Sequence, residues 1–185
     1  MARNTQAGKR APGKKNGSRD AGRIFVFKVV QSNLYGMVRG FPYRVLAIPD
    51  SDTLYSFGLA ILDSFGFAFD HPFGFYNNLK RYYLSTVAYE LFADDPEGRC
   101  GIQEGVQGVK KTRLNTAFGS IGQKMLFIFD YGDGWHFLVT LKGAEPAQPG
   151  RTYPVLVKSV GEARPQYDDD DEDADLFRIE GVDED

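Results

Sequence analysis

Lys124-Met125-Leu126-Phe127-Ile128-Phe129-Asp130-Tyr131-Gly132-Asp133-Gly134-Trp135-His136-Phe137-Leu138-Val139-Thr140-Leu141 is the stretch that decides the fold. Met125, Phe127, Phe129 and Tyr131 alternate with Lys124, Leu126, Ile128 and Asp130. Beyond Gly132-Asp133-Gly134, Trp135, Phe137, Val139 and Leu141 alternate with His136, Leu138, Thr140 and Lys142. Period-two alternation on both sides of a Gly/Asp cluster is the pattern of a β-hairpin.

The register follows from the side chains. Residues directly opposite in an antiparallel pair share a face, so keeping the aromatic rings together requires odd positions to face odd positions. A two-residue loop at 133–134 would set odd against even and scatter the rings over both faces. A three-residue loop, 132–134, predicts Tyr131 opposite Trp135, Phe129 opposite Phe137 and Phe127 opposite Val139, with Gly134 left-handed at the bulge such loops carry. On the other face this register sets Asp130 across from His136. A carboxylate beside an imidazole raises the imidazole pKa and orients its tautomer. Such a pair ranges in meaning from a surface ion pair to a general-base dyad or half of a metal site. No third ligand with characteristic spacing accompanies it, so the surface pair is preferred and no metal or cofactor is expected. Asp130, His136 and His71, the other histidine, remain candidates for a catalytic role, none of them assigned. Tyr131, Asp133, Trp135 and His136 are the candidate ligand contacts, because Trp and Tyr add contact area at low entropy cost; core packing is the competing role for Trp135.

Upstream, Ile24 to Val30 is dense in β-branched and aromatic residues and predicts a strand. Gly36, Gly40 and Pro42 mark a loop, and Tyr43 to Ile48 predicts a second strand closed by Pro49. Asp50-Ser51-Asp52-Thr53 supplies capping side chains. Leu54, Phe57, Ile61 and Phe65 then form one helical stripe before Gly66, which suits a left-handed helix end. A helix over about 52–65 must lay that stripe on a sheet. A loop containing His71-Pro72 leads to a strand near 73–78. Tyr82 to Phe92 has both helical and strand spacing, and strand is preferred. Residues 93–108 read as a surface loop, Thr112 to Phe118 as one or two helical turns, Gly143 to Thr152 as a Pro-rich connector, and Tyr153 to Lys158 as a last strand.

The whole describes an α+β domain: a mixed or antiparallel sheet with an N-terminal hairpin, one main helix packed on it and a C-terminal aromatic hairpin. At 185 residues, with 15 Phe and 10 Tyr, one core suffices, and the domain spans 23–165. Residues 1–22 form a basic tail without apolar periodicity, expected to be disordered. Lys9, Arg10, Lys14, Lys15 and Arg19 could contact nucleic-acid phosphates. Residues 166–185 form an acidic tail, with eleven carboxylates against Arg178 from Asp168 onward. Leu176, Phe177 and Ile179 within it could be a docking motif. The single cysteine, Cys100, fits a reducing compartment, and no stretch approaches the about 18 apolar residues of a membrane span. A cytoplasmic protein with no membrane partner is expected.

The order of elements resembles a bacterial and archaeal family named after the third open reading frame of a root-inducing plasmid, over roughly residues 24–165. The resemblance rests on Phe25–Val30, on Val45-Leu46-Ala47-Ile48-Pro49 leading to Thr53-Leu54, and on Phe65-Gly66-Phe67. Asp70-His71 and Phe75 are similar to its His-containing strand. The most specific match is Phe129-Asp130-Tyr131-Gly132-Asp133-Gly134-Trp135, followed by Leu141 and Tyr153-Pro154. It implies an α+β domain without an established molecular function, in a family some of whose members are described as transposon passenger proteins or resolvases. The activated serine and arginine cluster of a serine recombinase cannot be assigned here. Phe67 stands where the family usually has Trp and His136 where it usually has Glu. Val160-Gly161-Glu162-Ala163 lacks a cysteine often found there. A metal or ligand site built from those positions would be altered in this chain.

A binding module for a protein or small ligand is therefore the preferred expectation. A nucleic-acid-associated protein is the second, and a hydrolase or metal-dependent enzyme the last, since neither a phosphate-binding glycine loop nor a triad signature is present.

Overall fold

The computed structural model describes residues 22–32, 41–95 and 105–167. Both charged tails, including Lys9, Arg10, Lys14, Lys15 and Arg19, lie outside the described residues apart from Gly22, Gln166 and Tyr167, as does Cys100. The strands are β1 (Arg23–Ser32), β2 (Tyr43–Pro49), β3 (Phe73–Tyr76), β4 (Ala88–Glu90), β5 (Gln107–Gly108), β6 (Lys124–Phe129), β7 (Trp135–Pro146) and β8 (Val155–Val160); the helices are α1 (Leu54–Phe65) and the single turn α2 (Leu114–Ala117). Among the described residues, one sheet contains all eight strands in the order β5-β4-β3-β6-β7-β1-β2-β8. Every neighbouring pair is antiparallel except β4–β5. The architecture is α+β, as the patterning predicts. Among the described residues no helix is long and apolar enough to cross a membrane.

α1 begins where Thr53 accepts a hydrogen bond from the Ser56 N–H through its side chain, and ends at left-handed Gly66, φ 79°. Its stripe of Leu54, Phe57, Ile61 and Phe65 is buried on one sheet face against Phe27, Phe73, Phe75, Phe127 and Phe137. Arg44 also lies on that side, with its guanidinium 4.6 Å from the Phe65 ring centre and hydrogen-bonded to the carbonyls of Tyr43, Ser64, Val160 and Gly161. A second, smaller apolar cluster forms on the opposite face from Tyr76, Ala88, Leu126 and Ile128.

Three expectations change. Tyr82 to Phe92 is not one strand: 3-10 turns at Tyr82–Leu84 and Phe92–Asp94 flank a three-residue β4, because only Ala88 to Glu90 meets β3. The connector from Gly143 is still strand as far as Pro146, where the ten residues of β1 hold it through Ile24 opposite Glu145 and Arg23 opposite Pro146. The hairpin register is shifted by two: Phe129 faces Trp135, Phe127 faces Phe137 and Met125 faces Val139. Odd still meets odd, so the aromatic set stays together, but the loop runs from Asp130 to Gly134.

Candidate functional site

The shift in register traces to the backbone at Asp130. The Asp130 N–H bonds the Pro72 carbonyl at 3.0 Å, and Asp130 takes a left-handed backbone, φ 52°. Asp and Asn tolerate that region better than most residues. Its carboxylate Oδ1 accepts from the Gly132 N–H at 2.9 Å, and its carbonyl from the Gly134 N–H at 2.7 Å. Gly134 is left-handed, φ 67°, as expected. The backbone turn at Asp130 ends the alternation one residue early, so Tyr131 leaves the aromatic core for the second cluster. There its hydroxyl lies 2.7 Å from that of Tyr76, which donates to Glu90 at 2.8 Å. Burial, above all, pushes both phenol pKa values upward.

Asp130 consequently does not face His136; Ile128 does, with Ser32 on the other flank. The proposed Asp130–His136 pair is not formed. Asp130 turns instead to His71, with Oδ2 3.6 Å from Nδ1. The same nitrogen lies 2.8 Å from Asp70, which also receives Gln166 Nε2 at 3.0 Å and the Tyr167 hydroxyl. The hydrogen bond from Asp70 raises the His71 pKa, with the Asp130 charge adding to it; the Tyr167 hydroxyl lowers that of Asp70. This cluster is solvent-exposed, with the His71 side chain 46% accessible. Asp133 is exposed at the loop tip.

His136 is only 7% exposed, and among the described residues neither ring nitrogen has a hydrogen-bond partner. Burial lowers its pKa, which keeps the ring neutral. Trp135 is half-buried on the core side, with Phe67 edge-on at 4.9 Å and the Arg164 guanidinium 5.4 Å from its ring centre. Its indole nitrogen is also buried and has no hydrogen-bond partner among the described residues. Phe67, buried in the main core, is core filling.

The four candidate contact residues thus divide: Trp135 on the helix side, His136 and Tyr131 on the other, and Asp133 in solvent. His71 and His136 do not meet in one cluster. Among the described residues no group of three His, Cys, Asp or Glu side chains could hold a metal ion. Gln166 and Tyr167 reach Asp70 from 96 and 97 positions away, and no local sequence signal marks that contact. Tyr76 lies in the strand expected near 73–78, but its bond to Glu90 depends on the pairing of β3 with β4, which no local pattern gives.

No curated protein matches this chain. A solved structure of a protein of unknown function, MM3350 from Methanosarcina mazei Go1, is similar to it with a TM-score of 0.57 and 18% identity, over 75% of this chain and 69% of that one. At that identity the likeness is one of fold. The model of the plasmid pRiA4b ORF-3-like protein family matches residues 39–170, well over half of the sequence, and the chain belongs to that family.

Proposed function

We propose that the domain is a non-enzymatic binding module that takes up an amide-bearing ligand, such as a peptide segment, at His136. The observation that carries this is the buried imidazole with two unpartnered nitrogens. Leaving a buried polar group without a partner costs about 1–3 kcal/mol, and folded proteins rarely tolerate it without a role. A neutral imidazole offers one donor and one acceptor. Because the two nitrogens point apart, a peptide offers the complementary pair through the carbonyl of one amide and the N–H of another. The separation of Asp130 from His136 favours binding over general-base chemistry, since nothing described orients the ring or takes its proton.

The test is to record the ring nitrogens of His136 by NMR in the full chain while adding capped dipeptide amides of varied side chains. Members of that set should shift both nitrogens of His136, and by calorimetry the same members should bind the parent protein but not His136→Phe. If no capped dipeptide moves either nitrogen, the proposal fails.

A further inference from the structure

The described residues cover the sheet face opposite α1 only in part. Leu79, Tyr82, Val106 and Tyr131 close it over the half containing β3 and β6. Over β7, β1, β2 and β8, Leu138, Val30 and Val45 are half-buried and belong to neither apolar cluster. The ladder aligns the side chains of this face into rows that start on β6 and cross the open half. One row runs Lys124, Thr140, Lys28, Val45, Lys158 across β6-β7-β1-β2-β8. The next runs Leu126, Leu138, Val30, Tyr43, Val160. Lysines thus occupy every second strand, about 10 Å apart at the usual strand spacing, beside a continuous apolar row. The ammonium of Lys28 lies 4.0 Å from the Tyr43 ring centre and that of Lys158 5.9 Å. Among the described residues none of the three lysines has an ion-pair partner. The flanking positions in both rows are uncharged.

We propose that the occupant of this face is the chain's own acidic segment, residues 168–185. Its carboxylates would meet the lysine row, and Leu176, Phe177 and Ile179 the apolar row. Three observations select it. Charge is complementary, because eleven acidic residues stand against Arg178 in the segment. The length suffices, because 18 residues extend to about 60 Å from Tyr167, against about 20 Å from β6 to β8 at the usual spacing. Tethering also gives the segment a local concentration in the millimolar range that a free partner seldom reaches. A nucleic-acid strand fits less well. It would need aromatic stacking platforms, whereas the row offers the half-buried aliphatic side chains Leu138, Val30 and Val160 and Tyr43, whose face Lys28 already covers. The inference is independent of the binding role proposed for His136.

Carbodiimide crosslinking of the full chain tests it directly, because the reagent joins a lysine amine to a carboxylate as an amide, with loss of water, only where the two touch. Peptide mapping should find intramolecular links from Lys28, Lys124 or Lys158 to residues 168–185, fading as salt is raised. In the double variant Lys28→Glu/Lys158→Glu, folded by circular dichroism, links from Lys124 to the segment should fall several-fold. Links confined to Lys9, Lys14 and Lys15, links only between molecules, or an absence of links to the segment would each overturn the proposal.

Discussion

A methyl group placed on Gly58 of α1 would lie 2.6 Å from Cζ of Phe73 on β3, closer than carbon atoms approach without displacement. The helix rests directly on that ring. Phe73 is fully buried and packed against Phe127 at 5.3 Å and Phe75 at 6.1 Å, so it has no free direction in which to swing. Gly58→Ala gains about 1 kcal/mol of helix propensity but overpacks the core by about 1–3 kcal/mol. We expect a net loss, read as a lower urea midpoint with unchanged slope. A higher midpoint would show that α1 can lift off the sheet.

Arg44 holds four backbone carbonyls in a nearly water-free position, including one at the C-terminal end of α1 and two at the end of β8. Burial lowers its pKa, yet the guanidinium stays charged. Hydrogen bonds to a charged group contribute about 1.5–3 kcal/mol. Arg44→Met keeps the stem over Phe65 and strips the donors. We expect a loss on the order of 2–3 kcal/mol, with hydrogen exchange accelerated first in β8.

The two histidines should move stability in opposite directions with pH. His136 has a lowered pKa from burial, so its neutral form is favoured in the fold. That stability is complete above the unfolded value of about 6.5 and is lost as pH falls below it. His71 has a raised pKa, chiefly from Asp70. Its contribution is complete below about 6.5 and fades as pH rises through the folded value. Subtracting the unfolding free energies of His136→Phe from those of the parent protein, pH by pH, should leave a curve that falls toward acid. A flat difference would mean that the fold leaves the ring's proton affinity unchanged.

Asp130 serves the loop through both its backbone and its carboxylate. Asp130→Asn tolerates the left-handed conformation and retains an acceptor for the Gly132 N–H, so stability should change little. Asp130→Val faces left-handed strain of roughly 1–2 kcal/mol and loses the acceptor, so it should destabilise by at least that amount. The His71 pKa, followed by NMR, should drop in Asp130→Asn and drop further in Asp70→Asn, since the Asp70 hydrogen bond is the larger influence.

The elements that the sequence reveals are those whose side-chain period is unambiguous. The stripe Leu54, Phe57, Ile61, Phe65 with its Thr53 and Gly66 ends specified α1 to within two residues, and parity alone put Phe127, Phe129 and Phe137 on one face. The exact pairing was hidden, because it depends on a bond from the Asp130 N–H to Pro72, a residue far away in the chain. The same long-range bond displaced the expected site. Asp130 went to His71, and His136 was left facing Ile128. Only the bounds of β4 are illegible within the strand expected over Tyr82 to Phe92, because three residues are too few to show a period and pairing with β3 decides its position.

The left-handed step at Asp130 also sets a rule for how this turn can change length. Phe129 and Tyr131 are separated by one residue but belong to different apolar compartments, and β7 enters the sheet with a parity fixed by the five residues between Phe129 and Trp135. Inserting or removing one residue there would turn β7 over, exposing Phe137 and Val139 and driving His136 and Thr140 into the rings. Natural or engineered length variants of this turn should therefore differ by even numbers of residues, unless a compensating bulge restores the facing.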